Sequence, residues 1–287
     1  MRFMLLVKAT KDYETGKLPN EKMLAEMAKY TEELVKADAL LACERLKPSS
    51  QGFRVRYADA KFLVTDGPFA ETKELIAGFC MINAKSLEDA VAWARRMPMR
   101  EGEVEVRPLF ELEDFPVDPS EKPDGWREQE EQMRAAPPPA RRPGTIRYMG
   151  LLKADPDTES GKLPDCEVLA AMGAFLEEGT KAGTFLSGEG LKPTSKSARV
   201  RFSERDRLVI DGPFAETKEV VAGYAILQYA SKAEALEWTK RFVQVDAPGR
   251  HGGECECEMR PIFEYAEFGA SDAVKQMGEL AAKAGRA

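Results

Sequence analysis

Residues 66–74 read DGPFAETKE, and residues 211–219 read DGPFAETKE again, 145 positions later. Working outward from this nonapeptide without a gap, Arg2 to Met97 against Arg147 to Phe242, 44 of 96 positions are identical, so the chain is an internal duplication. The copies fall out of step after residue 97, because the second carries eight extra residues before Arg260-Pro261 answers Arg107-Pro108. The organisation expected is a first repeat over 1–115, a linker over 116–145, a second repeat over 146–268 and a helical tail over 269–287. The linker contains Pro137-Pro138-Pro139 and a short helix expected from Trp126 to Ala136. In the tail, Val274, Met277 and Leu280 recur at helical spacing.

Within a copy, Phe3 to Val7 is short and apolar enough for a buried strand. Pro19-Asn20 and Pro164-Asp165 open a helix whose Met23, Leu24, Met27, Tyr30, Leu34 and Val35 fall on one face. Strand-like stretches follow at Leu40-Leu41, Phe53 to Tyr57, Phe62 to Thr65 and Leu75 to Asn83. Ser86 and Ser231, each with an acidic residue three places on, cap a second helix, and Val104 to Leu112 is a last strand. This order is the βαββαβ plan with an added hairpin. It predicts an α+β fold of two ferredoxin-like repeats whose sheets stack face to face as one intramolecular α+β barrel.

Composition narrows the function. The 287 residues include 42 Lys and Arg against 49 Asp and Glu, a net charge of -7 that disfavours nucleic acid as a partner. The longest apolar runs, Leu75 to Ile82 and Val220 to Leu227, are too short to span a membrane, and Met1 to Lys8 is too short for a secretory h-region. Five cysteines without a C-x-x-C pair show no disulfide framework, and the expected home is a reducing cytoplasm. No Gly-rich phosphate loop or G-x-S-x-G elbow is present, and no cofactor is expected. His251, the sole histidine, sits in the second copy's insertion with Cys255 and Cys257. A fourth ligand is not evident, and no metal site is assigned.

The sharpest ligand clue is Arg54 and Arg56, repeated as Arg199 and Arg201. They alternate around a valine, so both guanidiniums of a pair point to one side of a strand and can fork around a carboxylate or phosphate. The competing reading is an ordinary charged edge strand. Lys8 and Lys153, ending the first strand, and Glu44 and Glu189, after the second, are further polar groups for a cleft between the sheets. Asp66 and Asp211 open the nonapeptide, where Asp-Gly-Pro is equally a turn signature. Glu71 with Lys73, Glu216 with Lys218, and Glu105 with Arg107 or Glu258 with Arg260 read as ion pairs along strands.

DGPF followed by AETKE, preceded by the R-V-R strand and followed by A-G-F or A-G-Y, resembles the DGPF branch of the YCII-related, YciI-like family over nearly all of each copy. The resemblance implies a dimeric α+β barrel similar to muconolactone isomerase, which makes a tandem fusion a covalent version of the family dimer. It also implies a His–Asp active site and, in some relatives, action on chlorinated or hydroxylated aromatic compounds. The helical position that carries histidine in such relatives falls here on Met27 and Met172, and methionine cannot move a proton. The leading expectation is a protein that binds a small polar or anionic molecule in a cleft between the repeats, as an intramolecular pseudo-dimer open to further homo-oligomerisation. The alternatives are an isomerase or dehalogenase-like enzyme using Asp66 or Glu44 as base, and a regulatory protein–protein module linked to an alternative sigma factor.

Overall fold

The computed structural model describes residues 1–70, 74–115, 140–214 and 219–284. The linker helix expected from Trp126 to Ala136 and the pairs Glu71–Lys73 and Glu216–Lys218 lie outside the described residues. The first copy contributes β1 (Arg2–Lys8), α1 (Lys11–Glu14), α2 (Glu21–Lys36), β2 (Leu40–Arg45), β3 (Phe53–Ala58), β4 (Lys61–Asp66), β5 (Ile76–Asn83), α3 (Leu87–Arg95) and β6 (Gly102–Pro108). The second contributes β7 (Ile146–Lys153), α4 (Pro156–Glu159), α5 (Cys166–Lys181), β8 (Phe185–Gly190), β9 (Ala198–Phe202), β10 (Arg207–Asp211), β11 (Val221–Tyr229), α6 (Lys232–Asp246) and β12 (Cys255–Pro261), followed by the tail helix α7 (Asp272–Ala284). The long helices start where the caps require: Asn20 and Asp165 accept from the amides of Met23 and Val168, and Ser86 and Ser231 from those of Asp89 and Glu234. No helix among the described residues is long and apolar enough to cross a membrane.

The strands form two six-stranded antiparallel sheets, and each contains both copies. The first runs β10-β9-β6-β1-β5-β2, the second β4-β3-β12-β7-β11-β8. Each copy therefore lends its β3–β4 or β9–β10 hairpin to the other's sheet. Val200 pairs with Val104 across one junction, and Val55 with Cys257 across the other. The sequence repeats are consequently not the boundaries of the sheets.

Period-two alternation then sets the layers. Phe3 and Leu5 face the helices, in a core that also contains Val200 and Phe202 from the other copy. The second outer core is built in the same way around Phe53 and Val55. Met4 and Leu6 point between the sheets and meet Phe79, Met149, Leu151 and Tyr224 there. The fold is thus an α+β barrel closed within one chain.

The nonapeptide is the crossover between halves. The chain leaves β4 in the second sheet, turns at Asp66-Gly67-Pro68-Phe69, and returns to β5 in the first. A Cβ on Gly67 would lie 1.8 Å from the Ser49 carbonyl oxygen, and one on Gly212 1.8 Å from that of Thr194, so only glycine fits either turn. Gly67→Ala is expected to cost about 3 kcal/mol by forcing the turn away from Ser49, which a shift in the denaturant midpoint would measure. Phe69 lies under Arg54 and Phe214 under Arg199, with the guanidinium carbons 4.2 and 4.0 Å from the ring centres.

Cysteine spacing suggests no disulfide framework, yet one disulfide is present. Cys43 and Cys80, directly opposite each other on β2 and β5, form a disulfide, while Cys166, Cys255 and Cys257 are free. The missing signal is three-dimensional, because cross-strand register and not sequence spacing brings these two sulfurs together.

Candidate functional site

Lys8, Lys153, Arg54 and Arg199 gather with the strand pairs Glu105–Arg107 and Glu258–Arg260 in two equivalent clusters, one in each half. In the first, buried Glu105 lies 3.1 Å from Lys8, 2.9 Å from Arg107 and 2.9 Å from Arg199 of the other copy. Glu74, the last residue of the nonapeptide, adds contacts of 2.9 Å to Lys8 and 3.0 Å to Arg199. In the second, Glu258 meets Lys153 at 3.3 Å, Arg260 at 3.1 Å and Arg54 at 2.8 Å, while Glu219 meets Lys153 at 2.7 Å and Arg54 at 2.8 Å. Burial alone would raise the Glu105 and Glu258 pKa values, but the three cations around each outweigh it. Glu105 is held well below the carboxylate range and Glu258 at about 2.

This geometry gives the predicted fork a different occupant. Arg54 and Arg199 are neutralised by the protein's own glutamates, and Arg56 and Arg201, on the same strand faces, extend to Glu254 and Glu103 near the surface. Between the sheets, the seven apolar residues from each copy that point inward pack against one another. Glu44 and Glu189 form cross-copy ion pairs, with Arg147 and Arg2 respectively. Asp66 is exposed and pairs with Lys232 at 2.7 Å, and Asp211 is exposed at the end of β10. His251 is exposed with Nδ1 3.4 Å from Asp157, whereas the Cys255 and Cys257 thiols are buried and pushed upward in pKa, mainly by loss of solvent. No group of three or more metal-ligating side chains occurs among the described residues.

A cavity of about 490 Å³ lies elsewhere, between α2 and the β2–β5 edge of the first sheet. Met23, Met27, Met97 and Met99 wall it from the first copy, and Phe263, Tyr265 and Met277 close it from the end of the second copy and the tail. The tail helix lies along α2 and β2 with Val274 and Leu280 buried, which seats Met277 at the cavity. Of the ten sequence candidates, Lys8 and Glu44 reach this wall. Burial raises the Glu44 pKa even though Arg147 opposes the shift.

Arg45 is the distinctive polar group here. It is partly buried, its pKa is lowered by burial, and no carboxylate among the described residues lies within ion-pairing distance. By contrast, the buried Arg107, Arg199 and Arg260 and the partly buried Arg54, Arg147 and Arg250 each meet a carboxylate. Arg45 stands opposite Gly78 on β5, and this missing side chain leaves room for it. The Tyr13 hydroxyl, its pKa pushed up to about 12 by burial, bonds the carbonyl oxygens of Leu46 and Ala77 beside it.

The second half is built differently at the same places. Gly188, Gly190 and Ala225 replace Cys43, Arg45 and Cys80. A Cβ on Gly188 would meet the Phe185 ring at 2.9 Å and one on Gly190 would meet Phe110 at 3.0 Å, so aromatic rings occupy the corresponding space. Identity between the copies highlights the crossover and the ion clusters. The signal for the cavity is the reverse: positions at which the copies differ.

A YCII-related domain is matched twice, over residues 1–113 and 146–251. An uncharacterised protein of Rhizobium meliloti (strain 1021) is 34% identical over 97 residues, spanning 33% of this chain and 78% of that protein. Among solved structures, the chain is similar to a mutant chlorite dismutase from Candidatus Nitrospira defluvii in complex with cyanide, at 11% identity and a TM-score of 0.39, over 98% of this chain and 94% of that one. The chain belongs to the YCII-related family, with its domain present twice in one polypeptide.

Proposed function

We propose that this protein binds a small molecule with an apolar body and a single anionic group in the first-half cavity, the anion resting on Arg45. The observation that carries the reading is a partly buried guanidinium without a carboxylate partner among the described residues, in a molecule whose arginines in the ion clusters are each paired. A partly buried guanidinium without a carboxylate partner favours a carboxylate in bidentate geometry. Methionines around it supply soft, adaptable apolar surface, and the volume falls in the range of small-ligand sites.

Aromatic carboxylates should raise the melting temperature of the whole protein, and their neutral amides should do so far less. Arg45→Ala should weaken carboxylate binding by at least about tenfold, roughly 1.4 kcal/mol. Unchanged affinity in that variant would reject the site. Binding is expected at one site per chain, because Phe185 and Phe110 fill the second half.

One observation bears on an enzyme reading: Glu44 is a lining residue of the cavity and its pKa is raised by burial, although Arg147 holds its carboxylate on the strand face opposite Cys43 and Arg45. Asp66, exposed and paired with Lys232, does not line that cavity. Turnover of a hydroxylated or halogenated aromatic acid, abolished by Glu44→Gln while binding persists, is the result this reading requires.

A further inference from the structure

We infer that the Cys43–Cys80 pair is a redox-active group of the cavity, exchanging with small carboxylate-bearing thiols and disulfides that dock on Arg45; this rests on the cavity being a binding site. Both cysteines line the cavity. Cys43 and Arg45 are two residues apart on β2, so their side chains share a sheet face, and an incoming carboxylate on Arg45 sets the rest of the molecule beside the sulfur of Cys43. Cys43 is partly exposed in the wall, whereas Cys80 is 2% exposed, which makes Cys43 the sulfur that meets the ligand.

The second half is an internal control. There β8 and β11 pair in the same register, Gly188 opposite Ala225, without a disulfide. The fold therefore does not require a cystine to hold this strand pair together. The cystine occurs only in the half where the cavity and the unpaired arginine occur, and that coincidence points to chemistry. A guanidinium next to a thiol favours the thiolate, the nucleophilic form.

In the reduced protein, the Cys43 thiolate attacks one sulfur of a carboxylate-bearing disulfide, forming a mixed disulfide and expelling one ligand thiolate. Cys80 then loses its proton to solvent and attacks the Cys43 sulfur, expelling the second ligand thiolate and closing the Cys43–Cys80 bond. The dithiol is oxidised by two electrons and the ligand disulfide is reduced to two thiols. The reverse sequence oxidises two ligand thiols.

The test uses reduced, full-length Cys166→Ser protein, which removes the partly exposed free cysteine. Its reaction with the anionic aromatic disulfide dithiobis-nitrobenzoate is compared with that of the neutral dithiodipyridine. The fast phase should map to Cys43 and Cys80 in peptide analysis, and Cys80→Ser should halt at a mixed disulfide on Cys43. Arg45→Gln should reduce the preference for the anionic probe about tenfold. A fast phase at Cys255 or Cys257, or an anion preference unchanged by Arg45→Gln, would overturn the inference. If Cys43 is inert while Arg45→Gln still abolishes thermal stabilisation by aromatic carboxylates, the binding site stands and the exchange chemistry is wrong.

Discussion

Replacing Glu258 with alanine is expected to lower the unfolding free energy by about 3–5 kcal/mol, because it leaves buried cations without their shared anion. Arg260, fully buried, loses its 3.1 Å partner and keeps only the Lys47 carbonyl and a 3.3 Å contact to Glu14. Lys153 and Arg54 retain Glu219 but lose the carboxylate between them. Glu105→Ala should act alike in the other half, where Lys8, Arg107 and Arg199 converge. Against a total stability of roughly 5–15 kcal/mol, either loss is severe. Acid titration gives an independent check. Glu258 has a folded pKa of about 2 against an ordinary 4.5, so its contribution is present above the ordinary value and is lost as pH falls toward 2. Glu258→Gln should therefore flatten the decline in denaturant midpoint across that interval. If the alanine variant costs under about 1 kcal/mol, the cluster is no more than a surface-strength pairing.

The second large effect concerns the duplication itself. Expressed alone, residues 1–115 should form a dimer with reciprocally exchanged hairpins and show no stably folded monomer. Its outer core would lack Val200 and Phe202, and its own hairpin would expose Phe53 and Val55, all four of which are buried in the intact chain. The ion cluster would be incomplete too, since Glu105 and Glu74 would lose Arg199 of the other copy and keep only Lys8 and Arg107. Light scattering should report twice the single-repeat mass and a concentration-dependent melting temperature. The intact chain should melt independently of concentration, because the linker makes the partner's supply intramolecular. A folded monomeric repeat would contradict the exchange of β3–β4 for β9–β10.

Reading the two copies together made the architecture legible, because nine repeated residues and 44 shared positions leave little freedom over what each half becomes. Helix starts at Asn20, Ser86, Asp165 and Ser231 were equally visible, since a cap depends on residues three places apart. So was the alternation that turns Arg54 and Arg56 to one side of a strand. What lay opposite those arginines was not visible. Glu258 is 204 positions from Arg54, and Glu219 is 165 from it, so only hairpin exchange could show the guanidinium satisfied from within.

The same limit applies to the cavity. The chain alone determined the duplication, the order of elements and the in-or-out direction of each strand residue, because these depend on short-range periodicity and capping. Tertiary structure decided which sheet receives each hairpin, that Cys43 meets Cys80, and that Arg45 stands uncompensated beneath α2 while Phe110 and Phe185 fill the matching space across the pseudo-twofold. Those outcomes depend on the distance and volume between residues far apart in the chain, which only packing establishes.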